Sequence, residues 1–220
     1  MATIKKGILG GVSGKVGNVV GGSWKGISYL RTLPDSVNDA KTEKQLSTRL
    51  KLKMTMQVLQ PCTEFIRIGY RAYAKKMTAF NAATSYLFHN IFTGDYPNFQ
   101  IDFSKVLVSR GELTGGDNVA CAASVAAKAD FSWDDNSSTG TASADDVVMV
   151  MVYNPDKNNA VFNIQSAQRS DAAYSLSLPL NYSGDNVHCY LCFIDLGNFM
   201  SSQAKHAISK SNYAGSITVL

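Results

Sequence analysis

The chain has 220 residues, 45% of them hydrophobic and 17% charged, with a formal net charge of +4. This composition is globular, not disordered, and the length supports one large or two small domains. No apolar run approaches the ~20 residues of a membrane-spanning helix, so none is expected.

The modest net charge conceals a polarity. Residues 1–76 carry 14 of the 21 Lys and Arg but four of the 17 acids, leaving +10 in front and −6 in residues 77–220. Eight of the 17 glycines fall between Gly7 and Gly26. A basic glycine-rich head can dock on an anionic partner or on the acidic half of a neighbouring copy.

Residues 1–33 read as an extended or hairpin segment. Lys5 and Lys6 precede a mildly apolar stretch, but Lys15 and the glycines interrupt any secretion-signal core, and no small-residue cleavage site follows. Cytoplasmic synthesis is therefore expected, with release in a particle as an option. Val and Ile favour extended backbone, while Gly permits bends and close approach of another backbone. Ser13-Gly14-Lys15 fits a hairpin turn. Such a segment supplies little packing of its own and is expected to order against something else. Gly10, Gly11, Val12, Gly14, Lys15, Val16, Gly17, Val19, Val20, Trp24 and Lys25 are its candidate assembly residues.

Pro34 to Ala40 is a polar linker, and residues 41–94 read as a helical unit. Thr42 with Gln45 three residues on fits a capping box, and Leu46, Leu50, Met54 and Val58 carry helix one to Leu59. Pro61 suits the first turn of helix two, with an apolar stripe of Cys62, Phe65, Ile66, Gly69 and Tyr73. Arg67, Arg71 and Lys75 then share the opposite face at i,i+4 spacing, a candidate anion-binding face, with Tyr70 and Tyr73 as packing residues. Thr78 caps a third helix that ends at Gly94.

After Pro97 the hydrophobic period changes from 3.6 to 2. Val125 to Trp133 and Tyr174 to Tyr182 alternate as half-buried strands, and Val147 to Tyr153 is a continuous apolar run suited to a central strand. Asn154 to Asn159 is a turn into Ala160–Ile164. Adding 106–109, 187–194 and 216–220 gives about seven strands over 105–220, the size of an immunoglobulin or fibronectin-III sandwich. The Cys…Trp…Cys spacing of true Ig domains is missing, which favours the fibronectin-like version. Pro179 implies an edge strand or bulge. The expected class is α+β: an extended head, three helices and an antiparallel sandwich.

Tests for chemistry fail one by one. Gly10 to Lys15 is not a phosphate loop, because three residues separate its glycines and Val16 follows the lysine. Cys189 and Cys192 form Cys-x-x-Cys, but on a strand the odd spacing sends the thiols to opposite faces. His188 and Cys192 share a face about 13 Å apart. Nothing in the spacing unites His89, His188 and His206. Asp134-Asp135 and Asp145-Asp146 match no calcium-loop pattern and read as turn carboxylates. No catalytic residue, metal or cofactor is expected.

The segments Gly7-Ile8-Leu9-Gly10-Gly11-Val12-Ser13-Gly14-Lys15-Val16-Gly17-Asn18-Val19-Val20-Gly21 and Ser23-Trp24-Lys25-Gly26 resemble the opening of an uncharacterised, domain-of-unknown-function family seen mostly in Bacteroidota. Phe80-Asn81-Ala82-Ala83, Tyr96-Pro97, Val106 to Gly111 and Phe131-Ser132-Trp133-Asp134 resemble it too. The resemblance implies no activity and no site residues; its motifs are glycine, aromatic and apolar, not acid–base groups.

The reading is a non-enzymatic structural protein that self-associates or is built into a larger particle, such as a virion, tail-like device or filament, through its head. Heterologous contacts between opposite ends yield rings or filaments, and strand addition is a common docking mode. The alternatives are a carbohydrate- or surface-binding module, needing an aromatic platform at Trp133, Tyr153 or Tyr182, and a nucleic-acid-associated protein using the basic helices.

Overall fold

Alternating β-branched residues and glycines make residues 12–32 an antiparallel meander in the computed structural model, which describes residues 3–4, 10–36, 39–199 and 206–220. Two compact units result, Met1–Glu43 and Lys44–Leu220. In the first, β1 (Thr3–Ile4), β2 (Val12–Val16), β3 (Val19–Trp24) and β4 (Ile27–Thr32) form one sheet in that order. The β2–β3 turn is Gly17-Asn18, not the expected Ser13-Gly14-Lys15, which lies within β2. The β3–β4 turn is Lys25-Gly26, both at positive φ (47° and 82°), the backbone of a type I′ hairpin whose twist suits the flanking strands. Lys5 and Lys6 lie outside the described residues.

The second unit begins with α1 (Glu43–Leu59), directly after Thr42. Of α1, just Thr55, Val58 and Leu59 are buried. Next come α2 (Thr63–Gly69), a 3-10 turn Arg71–Tyr73 and α3 (Ala79–Asn90). The Thr78 hydroxyl accepts from Asn81 N–H at 3.0 Å, the expected N-cap. The third helix stops at Asn90, before Gly94, because the chain turns into a small ladder of β5 (Phe92–Thr93) with β6 (Gln100–Ile101).

Seven further strands follow: β7 (Asp117–Ala122), β8 (Lys128–Asp134), β9 (Val147–Asn154), β10 (Asn159–Gln168), β11 (Ala173–Ser177), β12 (Asn186–Ile194) and β13 (Asn212–Thr218). They form a four-stranded sheet, β10-β9-β12-β13, and a three-stranded sheet, β11-β8-β7. A short α4 (Leu196–Phe199) follows β12. The molecule is an α+β protein with an antiparallel β-sandwich.

Three expected strands differ. Residues 106–109 form no strand: Val106 and Val108 are buried, but Val108 N–H bonds the Ser211 hydroxyl and Arg110 N–H bonds the Gly69 carbonyl. Their apolarity serves packing without a ladder. In its place β7 completes the seven. The alternation from Val125 becomes strand at Lys128, after Ala127 at φ 54°, and that from Tyr174 ends at Ser177. Pro179 stands just beyond the edge strand β11 and opens a 3-10 turn, Leu180–Tyr182.

The four-stranded sheet is buried on both faces, which explains the continuous apolar runs of β9 and β12. Val148, Val150 and Val152 face the three-stranded sheet together with Cys189, Leu191 and Phe193. Met149, Met151, Tyr153, Tyr190 and Cys192 share a second core with Val58, Leu59, Phe65, Ile66 and Leu87 of the helices. Helices 41–94 and sandwich 105–220 are therefore one unit, not separate bodies: the helices cover a sheet face too apolar to meet water.

Candidate assembly surface

The N-terminal sheet has four strands, and its described residues form no core. Among its described residues Gly21 alone is buried, and every residue of β4 is exposed. Pairing places Val20 opposite Arg31 and Lys15, and Trp24 opposite Ile27. By strand alternation Lys15, Val20, Trp24, Ile27, Tyr29 and Arg31 share one face. Val16, Val19, Gly21 and Leu30 share the other. The exposures are large: Val16 61%, Trp24 53%, Ile27 60%, Tyr29 48% and Leu30 62%. Isolated exposed apolar residues are ordinary, but here Trp24, Ile27 and Tyr29 cluster on one face and Val16, Val19 (38%) and Leu30 on the other.

The glycines let backbone lie on backbone. A Cβ built at Gly21 would stand 2.2 Å from the Val12 carbonyl oxygen, so the start of β2 crosses this strand where no side chain fits. Beside it runs a groove of about 260 Å³ lined by Gly10, Gly11, Val12, Ser28, Tyr29 and Leu30. Gly14, Lys15 and Val16 lie on β2, Gly17 in the first turn, Val19, Val20 and Trp24 on β3, and Lys25 in the second turn. One sheet thus gathers these candidate residues. Sequence reasoning missed Ile27, Tyr29 and Leu30, although Ile27-Ser28-Tyr29-Leu30-Arg31-Thr32 is a strong β-forming run.

A model described as a family of unknown function (DUF6266) matches residues 11–213. The chain belongs to that family. The match takes in β2 to β4 of the sheet. No curated protein matches the chain. Among solved structures, the fn3 domain of human collagen alpha-1(XX) chain is similar over 49% of this chain and 87% of its own, at 11% identity and a TM-score of 0.34.

The other candidates of the DUF6266 chain are differently placed. Arg67, Arg71 and Lys75 do not form one helical face, because α2 ends at Gly69. Arg67 pairs with Glu64 at 2.5 Å, the Arg71 guanidinium lies 4.4 Å from the Phe199 ring, and Lys75 follows the 3-10 turn. Tyr70 is buried and donates to the Leu107 carbonyl at 2.9 Å, while Tyr73 packs under Arg110 at 4.5 Å. Both tyrosines are packing residues. Trp133, Tyr153 and Tyr182 are 3%, 3% and 1% exposed, so they form no platform for a sugar.

Cys189 belongs to the core between the sheets and Cys192 to the core under the helices, so the two thiols do diverge. Both are fully buried, because both faces of their sheet are covered. Burial pushes the Cys192 and Cys62 thiols up to about 12, away from nucleophilic or ligating use. A hydrogen bond with Cys121, together with burial, pushes Cys189 up as well. His188 stacks on Phe103 at 3.8 Å and bonds the Tyr213 hydroxyl at 2.9 Å; burial lowers its pKa to about 4. Asp146 is buried against Arg169, and the Asp135 carboxylate accepts from Ser137 N–H. No group of three or more His, Cys, Asp or Glu that could hold a metal occurs among the described residues. Among the same residues no helix is long and apolar enough to cross a membrane.

Proposed function

We propose that the protein is a non-enzymatic structural subunit that self-associates, or is built into a larger particle or filament, through the sheet of residues 10–32. One observation carries this reading: a four-stranded sheet that buries a single described residue and leaves Val16, Trp24, Ile27, Tyr29 and Leu30 in water. A sheet gains stability by packing a face, and burying each such side chain contributes about 1.5–3 kcal/mol. The charge polarity suits a heterologous contact, basic head on the acidic half of another copy, additional to any contact the sheet makes through its own apolar residues. Residues 1–33 hold five Lys or Arg and no acid, whereas residues 77–220 carry −6. The sandwich reads as fibronectin-III-like, on the strength of its three-plus-four strand order and the missing Ig cysteine pattern. A bacterial setting of Bacteroidota type belongs to the same reading.

Light scattering and negative-stain microscopy of the full chain and of a chain lacking residues 1–33 test it. The full chain should form multimers. The truncated chain should be monomeric and folded, because both hydrophobic cores lie within Lys44–Leu220. Equal particle size for the two chains would refute the reading. Multimers that form only when DNA or RNA is added would favour a nucleic-acid partner instead.

A further inference from the structure

We infer that β4 is the joining strand, its open edge pairing antiparallel with β4 of a second copy across a two-fold axis at Leu30. The inference rests on the assembly reading above and specifies its contact. β4 ends the order β1-β2-β3-β4, so β3 takes one of its edges and, among the described residues, no strand takes the other. The two-residue turn Lys25-Gly26 makes Trp24 and Ile27 the hydrogen-bonded pair that closes the hairpin. Alternation then directs the backbone N–H and C=O of Ile27, Tyr29 and Arg31 toward β3, and those of Ser28, Leu30 and Thr32 outward.

Exposed edges are usually blunted by a proline, a bulge or an inward-pointing charge. β4 has no proline, its register with β3 runs unbroken from Ile27 to Thr32, and Arg31 is its single charge. All six of its residues are exposed. This is an edge built to accept a strand.

The identity of that strand follows from self-complementarity. With the axis at Leu30, Leu30 pairs with its own copy and Ser28 pairs with Thr32 of the second copy in both directions. Every outward group of the edge is then used, in three two-bond pairs. On one face Leu30 meets Leu30, extending the apolar surface of Val16 and Val19. On the other, Tyr29 lies opposite Arg31 of the second copy, a favourable cation–ring pairing. An axis at Arg31 would set two guanidinium groups directly opposite, which opposes pairing. An axis at Tyr29 would leave the Thr32 groups with no β4 partner. Charge and hydrogen bonding therefore select one register.

Cysteine cross-linking reads that register. Opposed Cα atoms of a hydrogen-bonded pair stand about 5.5 Å apart, within the range of a disulfide. Full-length Leu30→Cys, oxidised with copper–phenanthroline, should give a covalent dimer on a non-reducing gel that the wild-type chain with its four cysteines does not. Ser28→Cys or Thr32→Cys alone should not cross-link, but an equal mixture of the two should. Leu30→Pro removes an outward N–H without touching the bonds to β3, so it should abolish the dimer while the circular dichroism stays unchanged. A multimeric Leu30→Cys protein that yields no covalent dimer overturns the edge pairing. If deletion of residues 1–33 nevertheless disperses the multimers, the assembly reading stands without it. A full chain that is monomeric at every concentration overturns both.

Discussion

Arg169 and Asp146 form an ion pair sealed inside the protein, with Nη2 and Oδ2 3.0 Å apart and side chains 0% and 1% exposed. Arg169 Nε also donates to Asp146, Nη1 bonds the Asn136 side chain and the Gly115 carbonyl, Nη2 bonds the Thr114 carbonyl, and the guanidinium lies 3.7 Å from the Phe193 ring. The pair ties the loop between β8 and β9 to the end of β10. Burial lowers the guanidinium's pKa while Asp146 opposes that, and arginine remains charged.

This pair gives the sharpest stability test. Arg169→Met leaves a buried carboxylate uncompensated and should cost about 3–5 kcal/mol, a large fall in melting temperature. Asp146→Leu alone should cost a similar amount. The double variant should cost less than the sum of the two, because it removes both charges from the interior. Additive losses in chemical denaturation would show that the pair is not coupled.

His188 sets an acid limit. Its folded pKa, about 4, lies below the ordinary histidine value of 6.5, so the unfolded chain binds the proton more readily. Stability is therefore complete above pH 6.5 and is lost as the pH falls from 6.5 to 4, by at most about 3 kcal/mol. Asp102, Asp130 and Asp185, all held below the usual carboxylate range by hydrogen bonds to their neighbours, add losses at still lower pH. His188→Phe keeps the stack on Phe103 and should flatten the melting-temperature profile between pH 6.5 and 4.5. A profile identical to wild type would assign the loss elsewhere.

The buried thiols should be chemically silent. Iodoacetamide at pH 8 should leave Cys62, Cys189 and Cys192 unmodified in the folded protein and reach the half-buried Cys121 first. Replacing Cys189 and Cys192 by Ala should cost stability through cavities without altering particle size. Stoichiometric zinc that disappears with those two replacements would contradict the divergent-face geometry.

Two tryptophans report assembly separately from folding. Trp24 is 53% exposed and Trp133 is 3% exposed. In a Trp133→Phe chain the emission of Trp24 should shift to the blue as concentration rises. Burial-driven association should largely persist at 0.5 M salt, where the Debye length is a few ångströms, whereas purely electrostatic docking should fail. Gly21→Val forces a side chain into the Val12 carbonyl and should abolish both the shift and the multimers. The melting transition of residues 44–220 should not change.

Periodicity made much of the architecture legible. Thr78 announced its helix through the capping hydroxyl, and the continuous apolar run of β9 announced a central strand, though the cover on both faces of β9 and β12 came only from the structure. The divergence of Cys189 and Cys192 followed from strand geometry alone. Val106 to Ser109 misled because burial was read as pairing: an apolar tetrapeptide says that it avoids water, not which backbone satisfies it. Arg67, Arg71 and Lys75 misled because i,i+4 spacing groups residues only while the helix continues, and α2 stops at Gly69.

By itself the sequence determined the α+β class, the change of period near Pro97, the charge polarity and the special character of the glycine-rich head, since each is a local or additive property of residue types. Tertiary structure alone decided that the helices and the sandwich share a core, that Arg169 and Asp146 meet across 23 positions of chain, and that Trp24, Ile27, Tyr29 and Leu30 stay in water. Those outcomes depend on which surfaces find each other in space. No periodicity distinguishes an apolar side chain that is covered from one still waiting for its cover.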